Sequence, residues 1–339
     1  MNGFIRSRLA ALAAIFLAPG LFLLQAHAQD SGAPAARAGN ANRPPPAVGW
    51  VFKPNDISYK APNKPVWHIA DILAAHKGQT DWAQPVIKDQ WFLAQYISMG
   101  PGQKTRTEEE SDTLIWFIVQ SGQIRFTIKG VDPFVASKDF MVQVPMRTPF
   151  SMETVGDTPS VRFEVRTADN APIFPVADNP TPPKAPPGYT TVKVDIGGAG
   201  GAMGPSYSDT MKPYLDFDKD VVNNPNPPPA RGGGGNFFVR DAHGFAVPIR
   251  GAGVPLPPDS NIGHFHLGLA EFWYVLEGDL DVKIEGVPDI VHGHYGDVVY
   301  SPHGAYHRTT LVGKPFSTRV AEGSVTDSGV ALTPADQAQ

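Results

Sequence analysis

The chain repeats itself. Shifted by 156 residues, Trp116-Phe117-Ile118-Val119-Gln120-Ser121-Gly122 falls on Phe272-Trp273-Tyr274-Val275-Leu276-Glu277-Gly278, and Ile128-Lys129-Gly130-Val131 falls on Ile284-Glu285-Gly286-Val287. Each copy runs on through an acidic residue (Asp139, Asp297) into a strand-like segment and a proline (Pro145, Pro302). Further on, Lys314 to Val320 parallels Ser160 to Val165. Self-similarity on this scale means two structural units of one kind in tandem. Short runs of Val, Ile, Phe, Tyr and Trp, broken by Gly, Pro and Asp, predict strands nearly throughout. The exception is Ile69 to His76, closed by Gly78, which predicts a short helix. The sequence therefore predicts an all-β chain of two related domains with one short N-terminal helix.

The first domain is expected over residues 49–168 and the second over 236–325, with a tail at 326–339. Between the domains, 169–235 is crowded with turn formers: Pro180 to Pro187, Gly197 to Gly204, Pro225 to Pro229 and Gly232 to Gly235. It reads as a Pro/Gly-rich linker plus the leading strands of the second domain, with Thr190 to Ile196 and Asn236 to Arg240 strand-like. Gly232 to Gly235 is no phosphate loop, because neither Gly-Lys-Ser/Thr nor a helix follows it.

Residues 1–28 read as a signal peptide. Arg6 and Arg8 precede the apolar run Leu9 to Leu24, and Ala26-His27-Ala28 is a small-x-small cleavage site ahead of Gln29. The run is shorter than the roughly 20 residues of a spanning helix. Arg6-Ser7-Arg8 is not a twin-arginine pair, so a Sec-type route to the periplasm or the exterior is expected. Residues 29–48, rich in Ala, Gly, Asn and Pro, read as a disordered mature N-terminus. Losing the two signal arginines takes the net charge from −5 to −7. Without a basic patch, nucleic acid is not an expected partner, and no other segment is apolar enough for a membrane. The chain has no cysteine, which excludes disulfides and thiolate ligands.

Seven of the nine mature histidines lie between 243 and 307. His264, His266 and His307, together with Glu271, are good ligands for a divalent transition metal. Residues two apart on a strand face the same side, so His264 and His266 can reach one ion. If Glu271 points inward, Trp273 and Val275 do too. Phe272, Tyr274 and Leu276 then face a second layer or another subunit, which allows a homo-oligomer. Gly278-Asp279 is expected to turn a hairpin, Gly296-Asp297 to open the strand Val298 to Ser301, and His307 to return on the next. Arg308 and Tyr306 should point away from the ligands. His292-Gly293-His294 reads as solvated loop, His303 lies at a turn beside the candidate ligands, and His243 lies upstream of them. His68 and His76 read as structural or exposed.

These residues resemble the cupin superfamily closely. Its first signature, His-x-His, three or four residues, Glu, six residues, Gly, matches His264, His266, Glu271 and Gly278. Its second, Gly, five residues, Pro-x-Gly, two residues, His, matches Gly296, Pro302, Gly304 and His307. Two positions depart: Pro258 stands where the first signature opens with Gly, and Leu311 where the second closes with Asn. Neither is a ligand. The resemblance implies tandem double-stranded β-helix (jelly-roll) barrels, a bicupin. It also implies one divalent metal (Fe, Mn, Cu, Ni or Zn) held by His264, His266, Glu271 and His307, with two coordination positions open. Trp273, Val275 and Val299 are the expected pocket walls, and His303 a further substrate contact.

The first domain breaks the pattern. Glu108, Glu110, Ile115 and Phe150 stand where the four ligands should recur, with Asp112 available only through a local gap, so this half is expected to be a metal-free barrel. Three functions remain open on the sequence. The first is a metal-dependent dioxygenase acting on a small phenol, enol or carboxylate, with Glu271 staying bound or swinging off as a base. The second is a non-oxidative lyase, decarboxylase or isomerase. The third is an exported ligand- or metal-binding protein without catalysis.

Overall fold

The computed structural model describes residues 49–50, 52–53, 57–111, 113–168, 171–194, 207–208, 211–224, 239–240, 245–268, 270–313, 315–323 and 330–331. The signal peptide, the expected disordered N-terminus, Asp112 and His243 lie outside them.

Two barrels of matching topology are built entirely from antiparallel pairs. The first sets the six-stranded sheet Tyr214–Asp216, Phe140–Val144, Ile115–Ser121, Ser160–Thr167, Phe92–Met99, Trp82–Lys88 against the three strands Phe134–Ala136, Ile124–Ile128 and Phe150–Thr154. The second sets Val66–Trp67, Val298–Ser301, Glu271–Glu277, Ser317–Gly323, Phe245–Gly251, Val239–Arg240 against Val291–His294, Asp279–Ile284 and His307–Leu311. The repeat extends to irregularities: a bulge between Val119 and Ser121 recurs between Val275 and Glu277.

Alternation along the strands separates two kinds of core. Inward-facing Trp273, Val275 and Val299 fill the second barrel with Leu280, Val282 and Ile284, while Phe117, Phe126 and Phe150 fill the first. Outward-facing Trp116, Ile118, Phe163, Phe272, Tyr274 and Leu276 form a third core between the barrels. The layer that Phe272, Tyr274 and Leu276 required is thus the first barrel. Phe272 stacks on Trp116 with ring centroids 6.5 Å apart and meets Phe92 edge-on at 5.5 Å.

Expectations for three local segments are corrected. Gly278 does not turn a hairpin. Glu271–Glu277 and Asp279–Ile284 lie in different sheets, and Gly278 is the corner between them. Its φ is +65°, and a Cβ there would lie 2.6 Å from the Phe316 carbonyl, so only glycine fits. His292-Gly293-His294 is a strand rather than a loop. The barrels also exchange strands: Val66–Trp67 pairs with Val298 and Val299 of the second barrel, and Tyr214–Asp216 pairs with Phe140–Val142 of the first. The tail contributes Val330–Ala331, which pairs with Phe265–His266. Within the linker, residues 190–194 form no strand; Val192 and Val194 alternate but are exposed, with no neighbouring strand to bury them.

The helix Ile69–Ala75 is docked by the second barrel. Buried Asp297 accepts the Ile69 amide at 2.9 Å and the His294 amide at 2.9 Å, and it contacts His68 Nδ1 at 2.7 Å. A helix start needs such acceptors, and here the acceptor comes from another element. Phe272→Ala is expected to destabilise the protein by about 3–5 kcal/mol. Chemical denaturation followed by tryptophan fluorescence measures the loss, and the barrel-to-barrel core predicts a single cooperative transition in the parent protein.

Candidate metal centre

The centre is assembled across the mouth of the second barrel. His264 and His307 pair backbone to backbone, with N–H to carbonyl distances of 3.0 and 2.7 Å, and this brings their side chains to one side of the barrel. Gly263 makes the approach possible: a Cβ there would lie 1.9 Å from the His307 carbonyl oxygen. His266 follows on the short strand Phe265–His266, and Glu271 opens the strand Glu271–Glu277.

One donor atom from each of His264, His266, Glu271 and His307 lies within 4.8 Å of the others. Glu271 Oε2 is 2.6 Å from His266 Nε2 and 2.9 Å from His307 Nε2. Burial alone would raise the Glu271 carboxyl, but the His266 and His307 imidazoles outweigh it and hold it well below the usual carboxylate range. Burial, with His307 alongside, pushes His264 down to about 3, so it stays a neutral imidazole. Those are the ionisation states that metal ligands need.

Surrounding groups orient the donors. His307 Nδ1 lies 3.0 Å from the Ala305 carbonyl and 3.1 Å from Ser301 Oγ. Donation from Nδ1 to the carbonyl leaves the Nε2 lone pair facing the centre. That Nε2 is buried and turned to Glu271 Oε2, 2.9 Å away, an arrangement of lone pairs that a cation between them would satisfy. The Trp273 indole N–H donates to Glu271 Oε1 at 3.1 Å, and the ring lies 5.2 Å from His307. Three imidazole nitrogens and one carboxylate oxygen fit one divalent transition ion.

The expected pocket residues are not equivalent. Trp273 touches the donors. Val275 and Val299 are fully buried in the apolar core farther along the barrel, backed by Gly293. His303 sits at the rim, its Nε2 3.1 Å from the Leu267 carbonyl and its ring 5.2 Å from Trp91 of the first barrel. Arg308 points away from the ligands as expected, yet it is buried. Its guanidinium donates to the carbonyls of Pro258, Asn261 and Pro257, clamping the loop that delivers His264. The sequence could not show this, because backbone carbonyls carry no residue signature. His76 stacks on Trp82 at 4.3 Å.

The first barrel fills the corresponding position differently. Glu108 bridges Phe150 as His264 bridges His307, so the equivalence read from the repeat holds in space. Ile115 and Phe150 are apolar and buried. Between Glu108 and Glu110 lies the Arg166 guanidinium, 2.9 Å from Glu110, 3.6 Å from Glu108 and 2.8 Å from Glu164. By strand register, Arg166 corresponds to Gly323 of the second barrel, which carries no side chain. A fixed guanidinium therefore stands in the first barrel at the register position where the second carries only glycine. Burial would raise the Glu164 carboxyl, but Arg166 and Arg162 hold it below the usual range. At Glu108 burial wins over Arg166, and the carboxyl is pushed up.

No family profile matches this sequence, and no curated protein matches it. Solved structures do share its fold. Salicylate 1,2-dioxygenase from Pseudaminobacter salicylatoxidans superposes with a TM-score of 0.53 at 13% identity, over 80% of this chain and 85% of that one. Oxalate decarboxylase from Bacillus subtilis gives a TM-score of 0.45 at 11% identity over 83% and 84%, too distant to weigh further. The chain is a two-barrel protein of the cupin fold, with a His3Glu donor set in its second barrel.

Arg166→Met leaves buried carboxylates uncompensated and is expected to cost about 3–5 kcal/mol near neutrality. Because the folded Glu164 pKa lies below its unfolded value, its stabilisation is present above the unfolded carboxylate pKa and is lost as pH falls. The cost of the variant should therefore be largest near neutrality and shrink as the pH falls, as denaturation at graded pH followed by circular dichroism will read. Its metal content should not change.

Proposed function

We propose that the second barrel is the active centre of an exported, metal-dependent oxidoreductase, a dioxygenase acting on a small phenolic, enolic or carboxylate substrate. The observation that carries this reading is the convergence of His264, His266, Glu271 and His307 within 4.8 Å. A bound divalent transition ion supplies Lewis acidity and redox capacity at its open positions. The chain supplies the rest. Neutral His264 and the oriented His307 present lone pairs. Glu271, held ionised, would serve as a ligand or, unbound, as a base accepting a proton at Oε2, and Trp273 holds it through Oε1. The apolar wall of Trp273, Val275 and Val299 keeps water from the inner side, so substrate enters past the rim at His303. A periplasmic or secreted location rests on residues 1–28 and predicts a mature N-terminus at Gln29.

His307→Ala is expected to lose bound metal and turnover together. Trp273→Phe is expected to keep the metal and lose about 10–100-fold in activity. Metal analysis paired with oxygen uptake on a panel of phenols and organic acids tests the reading. Full activity in His307→Ala would refute it, and turnover undiminished without oxygen would replace the dioxygenase by a lyase, decarboxylase or isomerase.

A further inference from the structure

A second His-x-His remains unused. The edge strand Val291–His294 buries Val291 and Gly293 and turns His292 and His294 outward, their side chains 62% and 64% exposed. The register is fixed from beneath: a Cβ on Gly293 would lie 3.0 Å from Val299 and 3.1 Å from Val275, so no larger residue sits there without displacement. His68, at the start of the docked helix, lies beside them, its ring 6.5 Å from that of His294 and inclined by 27°.

All three imidazoles are held in the same way. His292 Nδ1 is 2.6 Å from Asp281, His294 Nδ1 is 2.7 Å from Asp279, and His68 Nδ1 is 2.7 Å from Asp297. A carboxylate at Nδ1 keeps the proton on that nitrogen, leaves the Nε2 lone pair for an external partner and raises its basicity. Metal-ligating histidines are oriented in this manner. Inside the barrel, two imidazoles of the same i, i+2 spacing stand with ring centroids 5.2 Å apart.

We propose that His292 and His294, joined by His68, form a second site for a divalent transition ion of the zinc, copper or nickel class on the outer face of the second barrel. Imidazole donors suit these ions. Among the described residues, the inner four are the one set of three or more donors already converged. Closure of the outer set on an ion requires the imidazoles to tilt toward one another with their aspartate partners, and His292 and His294 are exposed enough to do so. Its ion ties the segment preceding the helix to the second barrel, adding to the hold of Asp297. Protons compete for the same nitrogens, so affinity falls as the solution is acidified.

Equilibrium dialysis of the mature, inner-site-loaded protein against graded zinc tests the site. Two ions per chain are expected, the second lost in the His292→Ala/His294→Ala double variant while the first is retained and the circular dichroism is unchanged. His68→Ala should weaken the second ion about 10-fold. One ion per chain in the parent protein, or a second ion that persists in the double variant, overturns the site. Unchanged affinity in His68→Ala removes the third ligand.

Discussion

One strand carries both halves of this molecule's design. Along Glu271–Leu276, odd positions face into the second barrel and even positions face out, up to the bulge between Val275 and Glu277. The inward set starts with a metal donor, continues with the tryptophan that restrains it and ends in apolar core. The outward set, Phe272, Tyr274 and Leu276, packs on the first barrel. A register slip of one residue would exchange the two sets, exposing the aromatics and burying the carboxylate in the interface. The centre is therefore as rigid as the barrel-to-barrel packing. Polar ties add to it: the Tyr96 hydroxyl donates to the Gly296 carbonyl at 2.5 Å, Tyr274 to the Gln120 side chain, and Tyr295 to Asp139 at 2.6 Å. Each buried hydroxyl has a partner in the opposite barrel, which a slip would leave unsatisfied.

The two barrels solve one electrostatic problem in different ways. A barrel mouth that collects carboxylates needs positive charge. In the second barrel the donors are mainly imidazoles, of which burial keeps His264 neutral, and glycine stands at the register position of Arg166. In the first, the donors became Glu108 and Glu110, and Arg166 brings a permanent charge on its own strand. Arg162, four positions earlier, binds Glu164 at 3.0 Å. Its counterpart by register, Arg319, also points inward and donates to Thr309. The shared arginine belongs to the common barrel, whereas Arg166 belongs to the barrel whose ligand positions changed.

Much of this was legible in the sequence because its signals are local. His264 and His266 are two apart, Glu271 opens the next strand, and strand period fixes the rest. The repeat located the second barrel's relative and the failed ligand positions Ile115 and Phe150. What escaped depends on partners far along the chain. Gly278 resembles a hairpin glycine until the two flanking strands are seen in different sheets. Strands of two or three residues, such as Val66–Trp67 and Tyr214–Asp216, carry too few side chains to announce which barrel they join. His292-Gly293-His294 reads as loop because half its residues are solvated histidines, yet the inward glycine is the mark of close backbone packing. Arg166 gives no signal until the strands bring it between the carboxylates.

The strand exchange explains why the first barrel persists without a donor set of its own. Its turn at Asp89 is fixed by that carboxylate, which accepts the Trp91 and Phe92 amides at 2.7 Å each. The other oxygen of Asp89 accepts the Tyr300 hydroxyl at 2.8 Å, joining the turn to the strand that ends at Ser301, beside His307. Trp91, carried on the same turn, meets His303 at the rim of the second barrel. The first barrel thus reaches His303, four residues before the donor His307, through Trp91. Deleting it would expose Phe272 and Tyr274 and remove the Trp91 and Asp89 contacts to the turn and strand that lead into His307. The same packing that stabilises the pair therefore braces the segment that carries one of the donors.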